Sequence, residues 1–190
     1  MPALVLASAS PRRLALLAQL GLVPARVVAP EVDETPGKGE PPRAYVQRVA
    51  AAKAAAVSRD EGEVVLAADT SIVAGRRILG KPEDDADLVR MLTLLSGRRH
   101  HCLSAVVVIG ADGRVRTRLS DTMVAFKPLS RAEISAYVAS GEGMGKAGGY
   151  AIQGRAAGFV RRIDGSYSGV VGLPLFETRA LLLSAGVALG

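Results

Sequence analysis

The chain has 190 residues, of which 49% are hydrophobic and 22% charged, a balance that excludes general disorder. No apolar run approaches the ~18 residues of a membrane span, and one cysteine, Cys102, excludes an internal disulfide framework and a Cys-cluster zinc site. The net charge of +6 and pI of about 9.9 point to a polyanionic partner, yet four Tyr, three Phe and no Trp supply few rings for stacking single-stranded bases.

Residues 4–7 are apolar, and Ala7-Ser8-Ala9 imitates a leader cleavage site. The apolar run is too short and lacks a preceding basic residue, so it reads as a buried strand. A turn at Ser8-Ala9-Ser10 leads to Pro11, which suits the first turn of a helix. Leu14, Leu16, Leu17 and Leu20 carry that helix to Gly21. Residues 26–29 form a strand and 30–42 a polar loop with Glu31, Asp33 and Glu34. In residues 42–58, Val46, Val49, Ala50 and Lys53 recur at helical spacing. A second buried strand covers 64–68, and a hairpin with a Gly75-Arg76 turn covers 70–79. Residues 84–96 are an amphipathic helix with Leu88, Met91, Leu92 and Leu95 on one face. Strands at 103–109 and 114–126 flank an Ala-Asp-Gly turn. Ser130 and Glu133 form a capping box for a helix to Ala139. A Gly-rich segment fills 141–158, followed by a strand at 159–163 and a helix at 175–185. This mixture of crossovers and hairpins predicts an α/β fold with a mixed, partly antiparallel sheet flanked by helices.

Several segments can carry chemistry. Ser8-Ala9-Ser10-Pro11-Arg12-Arg13 joins a strand to a helix N-terminus, where backbone N–H groups, hydroxyls and guanidinium groups suit phosphate. Asp69 ends the apolar run 64–68, placing a carboxylate at a sheet end where it can hold a cation or take a proton. Lys53 and Lys81 can face phosphate oxygens. The run from Gly143 to Gly148 matches G-x-G-x-x-G, but a helix precedes it where a dinucleotide site requires a strand. His100 and His101 point to opposite faces of a strand and cannot chelate together. Cys102 reads as a core residue. Most of these features are individually as consistent with ordinary surface or turn residues; their shared theme is a metal-bound polyphosphate.

Together the segments resemble the Maf family of nucleoside triphosphate pyrophosphatases. The matching residues are Leu6–Arg13, Val32-Asp33-Glu34, Ala68-Asp69-Thr70, Gly80-Lys81-Pro82, Leu95-Ser96-Gly97 with His100, the stretch Lys146–Gly154, and Gly165-Ser166-Tyr167 through Leu175. They occur in family order along essentially the whole chain, with Gly169 and Cys102 as departures from the commoner pattern. The resemblance implies a single domain over residues 1–190, with two lobes around a cleft as in the inosine triphosphatase group. It implies hydrolysis of dTTP and UTP to the monophosphate and pyrophosphate, with a divalent metal (Mg²⁺, Mn²⁺ or Co²⁺). By the same resemblance Asp69 accepts a proton, and Glu34 and Asp69 hold the metal. Ser8, Arg13, Lys53 and Lys81 line the phosphate site, while Arg12, Thr70 and Gln153 match positions tied to base preference. A cytoplasmic homodimer without a membrane or stable nucleic-acid partner is expected. Two rivals stand beside this reading: a nucleic-acid-binding regulator of cell division, and a pyrophosphatase for damaged purine nucleotides.

Overall fold

The computed structural model describes residues 2–189. In chain order it contains β1 (Ala3–Ala7), α1 (Pro11–Ala18), β2 (Arg26–Val28), α2 (Pro42–Ala55), β3 (Glu63–Ala74), β4 (Arg77–Leu79) and α3 (Asp85–Leu95). Then follow β5 (Arg99–Ile109), β6 (Val115–Phe126), α4 (Arg131–Ala139), two 3-10 turns at Ala147–Gly149 and Arg155–Phe159, β7 (Val160–Asp164), α5 (Tyr167–Val171) and α6 (Leu175–Ser184). Local chemistry accounts for the starts of several helices. Pro11 opens α1, Asp84 caps α3 by accepting from the Asp87 N–H, and Ser130 with Glu133 completes the capping box of α4.

The sheet is mixed, as the sequence predicts. Its order is β2-β1-β3-β5-β6-β7, with β4 paired to β3. β1 lies parallel to both β2 and β3, and the remaining pairs are antiparallel. Alternation along β1 and β3 divides their side chains between two faces. Val5, Ala7, Val65 and Ala67 pack beneath α2, while Leu4, Leu6, Val64 and Leu66 pack against α1 and α6. β3, β5 and β6 then continue past the end of β1 into a third core. There Ile72, Leu92, Phe126 and Ile134 meet α3, α4 and the Gly-rich segment. β3 and β5 therefore contribute to all three cores.

Three boundaries differ from expectation. The break expected after residue 68 does not exist, because no Gly or Pro interrupts the run and β3 continues through Ala74. Asp69 is therefore inside a strand instead of at its end. It still lines the cleft, because β1 stops at Ala7, opposite Ala67, and leaves the strand uncovered beyond that point. β5 starts at Arg99, earlier than the apolar pattern suggests, because His101 faces solvent while His100 and Cys102 face the core. The short helix α5 is a further addition, capped by the Ser166 hydroxyl accepting from the Gly169 N–H.

The third core holds an edge-to-face aromatic cluster around Phe126, which contacts His100, Tyr150 and Phe159. Burial pushes the His100 imidazole down to about 4, so it is neutral at physiological pH, with Nε2 2.8 Å from the Tyr150 hydroxyl. The Gly-rich segment packs against this core through backbone. Gly148 has φ +68°, and a Cβ there would lie 2.7 Å from Ile72. Gly148→Ala is expected to destabilise the fold by about 1–3 kcal/mol, through strain and overpacking. Gly158→Ala, with nothing within 4 Å of its added carbon, is expected to be near neutral. Thermal melting of the two variants beside the parent checks this contrast.

Candidate active site

A cleft of about 410 Å³ opens where β1 ends and β3 runs on. Ser8, Arg12, Arg13, Glu34, Lys53, Asp69, Thr70, Lys81 and Gln153 all line it. The structure thus brings together every candidate site residue read from the sequence, from segments up to 145 positions apart, the separation of residues 8 and 153.

The loop from β1 to α1 supplies Ser8 and Arg13. The Ser8 hydroxyl is buried and accepts from the Ser10 N–H at 3.1 Å and from Arg13 Nη1 at 3.3 Å. Arg13 also donates from Nε to the Gly172 carbonyl at 2.8 Å and from Nη2 to Thr70 Oγ1 at 3.4 Å. Burial lowers the Arg13 pKa, and the charges of Asp69 and Glu34 act against that shift. Guanidinium stays protonated through such a shift, and it carries more N–H donors than these three bonds use. Arg13 is therefore an aimed cation with capacity left for an anion.

Thr70 is engaged on the protein side. Ser104 Oγ donates to the Gly169 carbonyl at 2.7 Å and lies 3.1 Å from Thr70 Oγ1. Arg13 can only donate and the Gly169 carbonyl can only accept. The Thr70 oxygen thus accepts a hydrogen bond from Arg13, and its own O–H turns toward Ser104 or the Gly172 carbonyl. Its hydroxyl steers Arg13 in this geometry.

Opposite Arg13, the face of α2 that packs on the sheet carries Lys53 among Val46, Val49 and Ala50. The ammonium lies 2.7 Å from Asp69 Oδ1 and 2.9 Å from Glu34 Oε1. Its side chain is 11% exposed and that of Asp69 8%, whereas that of Glu34 is 45% exposed at the cleft mouth. Asp69 Oδ2 keeps only a 3.5 Å contact from the Ser71 hydroxyl. Tyr45, also on α2, holds the long loop by donating to the Glu34 carbonyl at 2.8 Å. Burial, then the negative charges of Asp69 and Glu34, push the Tyr45 hydroxyl up to about 12. The resemblance predicts phosphate contact for Lys53; here its ammonium bridges the two candidate metal-binding carboxylates.

Those carboxylates share the Lys53 ammonium, and carboxylate oxygens are of the type that suits a hard metal. No group of three or more His, Cys, Asp or Glu residues forms a metal cluster among the described residues. Mg²⁺-like ions bind through one or two carboxylates while keeping waters and substrate phosphates as further ligands. The donor set fits a metal of that type and not a closed protein cage.

On the far wall, the Gly148 N–H donates to the Gly80 carbonyl at 2.9 Å, tying the loop of Lys146 to that of Lys81. Gln153 stands exposed at the rim, on a turn beside Tyr150 and Ala151. Beyond the hydroxyls of the Ser8–Arg13 segment, sequence reasoning did not assign Lys146, Tyr150 or Gly172 to the site, although all three line the cleft. All three lay within matching segments, but the contribution of Gly172 is a backbone carbonyl and has no side-chain signature.

Residues 3–185 match the family model described as Maf-like protein. A dTTP/UTP pyrophosphatase of Sphingopyxis alaskensis is 69% identical over 190 residues, covering 100% of both chains. One from Novosphingobium aromaticivorans is 59% identical over 187 residues, covering 98% of this chain and 93% of its own. Another from Caulobacter vibrioides is 56% identical over 186 residues, with coverage of 97% and 96%. A solved structure of a nucleoside-triphosphatase, a dITP/XTP pyrophosphatase from Mycobacterium abscessus, is similar over 65% of this chain and 74% of its own, at 18% identity and a TM-score of 0.39. The extent of the family match and the full-length identities establish that this chain belongs to the Maf-like protein family.

Proposed function

We propose that this protein hydrolyses dTTP and UTP to the nucleoside monophosphate and pyrophosphate, with water attacking the α-phosphorus. The observation that carries the reading is the meeting of Asp69, Glu34, Lys53 and Arg13 in one cleft. The names and full-length identity of the relatives support the same substrates. We read the chain as one domain of two lobes, acting in the cytoplasm as a homodimer, two-fold dimers being the commonest assembly. No described helix is long and apolar enough to cross a membrane.

A triphosphate brings about four negative charges, which fixed cations must offset in a water-poor cleft. Arg13 meets the tail from the α1 side, and Lys81 extends from the opposite loop. Glu34 and Asp69 would hold the divalent metal, which supplies charge neutralisation and polarises phosphate oxygens when bound. Asp69 Oδ2, free of strong protein partners, accepts the proton of the attacking water. The water oxygen bonds to the α-phosphorus, the bond to the bridging oxygen breaks, and pyrophosphate leaves carrying that oxygen. The Gln153 amide carbonyl can accept from N3–H of uracil or thymine while its NH2 donates to O4. The thymine methyl requires only room, so both nucleotides are accommodated.

Pyrophosphate release from UTP and dTTP with Mg²⁺ tests the proposal directly, and a folded, metal-supplied protein that cleaves neither would refute it. Asp69→Asn is expected to lower kcat by about 10²–10⁴-fold while circular dichroism stays that of the parent. Gln153→Glu is expected to shift the ranking of nucleotides away from UTP and dTTP, measured as kcat/KM across UTP, dTTP, CTP and GTP. Lys53→Met leaves two facing carboxylates without their ammonium. It is expected to melt below the parent in chelator and to gain more melting temperature than the parent from added Mg²⁺. Equal gains in both proteins would argue against these carboxylates as metal ligands.

A further inference from the structure

Gln153 sits on a turn whose anchoring lies behind it. The Gly154 N–H donates to the Ala151 carbonyl at 3.0 Å and the Ala157 N–H to the Gly154 carbonyl at 3.0 Å, so residues 151–157 form two consecutive tight turns. Among the described residues, no protein group makes a hydrogen bond with the Gln153 side-chain amide. Its aim therefore depends on how the turn backbone is held.

Two side chains hold that backbone. The buried Tyr137 hydroxyl of α4 accepts from the Ala151 N–H at 3.2 Å. Glu142, just beyond α4, accepts the Arg155 N–H on Oε2 at 3.0 Å. The Glu142 backbone is itself fixed, since its N–H donates to the Ser140 hydroxyl at 3.3 Å. The carboxylate lies flat on Gly154: a Cβ there would fall 2.4 Å from Oε2 and 2.5 Å from Oε1. Only glycine after Gln153 permits that approach. Burial opposes ionisation of Glu142, but the N–H groups of Arg155 and Ala156, the Tyr137 hydroxyl and the Lys146 charge outweigh it and keep the carboxyl below its usual range.

We propose that Glu142 is a positioning residue for base selection: its carboxylate clamps the turn at residues 151–155 and so aims the Gln153 amide at the nucleobase. This rests on the reading of Gln153 as the base contact. Glu142 does not line the cleft, so it acts through the turn and not on the phosphates.

The test measures kcat and KM for UTP and GTP, with Mg²⁺, in the parent and in Glu142→Ala, Glu142→Gln, Gly154→Ala and Gln153→Ala. Glu142→Ala is expected to reduce the UTP-to-GTP ratio of kcat/KM about tenfold, mainly by raising KM for UTP, with kcat for UTP within about threefold of the parent. Glu142→Gln keeps an acceptor oxygen at the same reach and is expected to restore most of the ratio. Gly154→Ala, at a φ of −106° outside the left-handed region, displaces the flexible carboxylate and is expected to reproduce the Glu142→Ala effect if that variant fails to fold. A merely structural role would lower the rates for both nucleotides together and leave their ratio intact, which would overturn the proposal. A parental ratio in Glu142→Ala and Gly154→Ala, with the ratio lost in Gln153→Ala, overturns the clamp alone. A parental ratio in Gln153→Ala overturns the reading of Gln153 and the clamp with it.

Discussion

A buried ammonium between two carboxylates is the constraint around which this cleft is organised. Lys53 lies on an apolar helix face, where desolvation would disfavour its charge without partners. Asp69 and Glu34 provide them at 2.7 and 2.9 Å. The same contact draws in the long loop after β2, whose residues have no regular hydrogen-bonded structure of their own and which Tyr45 also fastens through the Glu34 carbonyl. Buried ion pairs contribute less net stability than their Coulomb energy suggests, so arrangement is the better account of this one. It holds two anions close together that would otherwise separate, and it leaves oxygens of each turned to the cleft.

The opposite wall follows the same economy of donors and acceptors. Arg13 is steered by a hydroxyl, a carbonyl and the Thr70 oxygen, without a carboxylate clamp of its own. Neutral partners orient a guanidinium while leaving its charge uncompensated locally. That is the arrangement a site for phosphate needs, because a directly paired carboxylate would compete with the incoming anion. The cleft thus carries carboxylates at Glu34 and Asp69 and a guanidinium without a carboxylate partner at Arg13.

Much of this was legible in the sequence, for identifiable reasons. The capping box at Ser130, the Ala-Asp-Gly turn and the apolar face of α3 are local and survive in the fold. The nine candidate residues converge because the resemblance extends over segments that topology later brings together. Local pattern misplaced Asp69. A turn-forming Asp after five apolar residues reads as the end of a strand, yet β3 carries through it because pairing with β5 continues to Val73. The Lys53 contacts were also hidden, since which anion an isolated Lys meets depends on how α2 lies across the sheet. The role of the Gly172 carbonyl could not be read from any side chain, because it arises from the path of the chain after α5.

Continuity of β3, β5 and β6 into the third core has a mechanical consequence. Swinging that end of the sheet as a rigid body would require these strands to bend together, and their ladders run in unbroken register from Val65 to Val73 and from Arg99 to Ile109. Sheets resist such in-plane hinging because every shared rung must distort at once. The spacing of the groups carried by these strands, Asp69 and Thr70 among them, is therefore set by the sheet itself and not by the loops that surround the cleft.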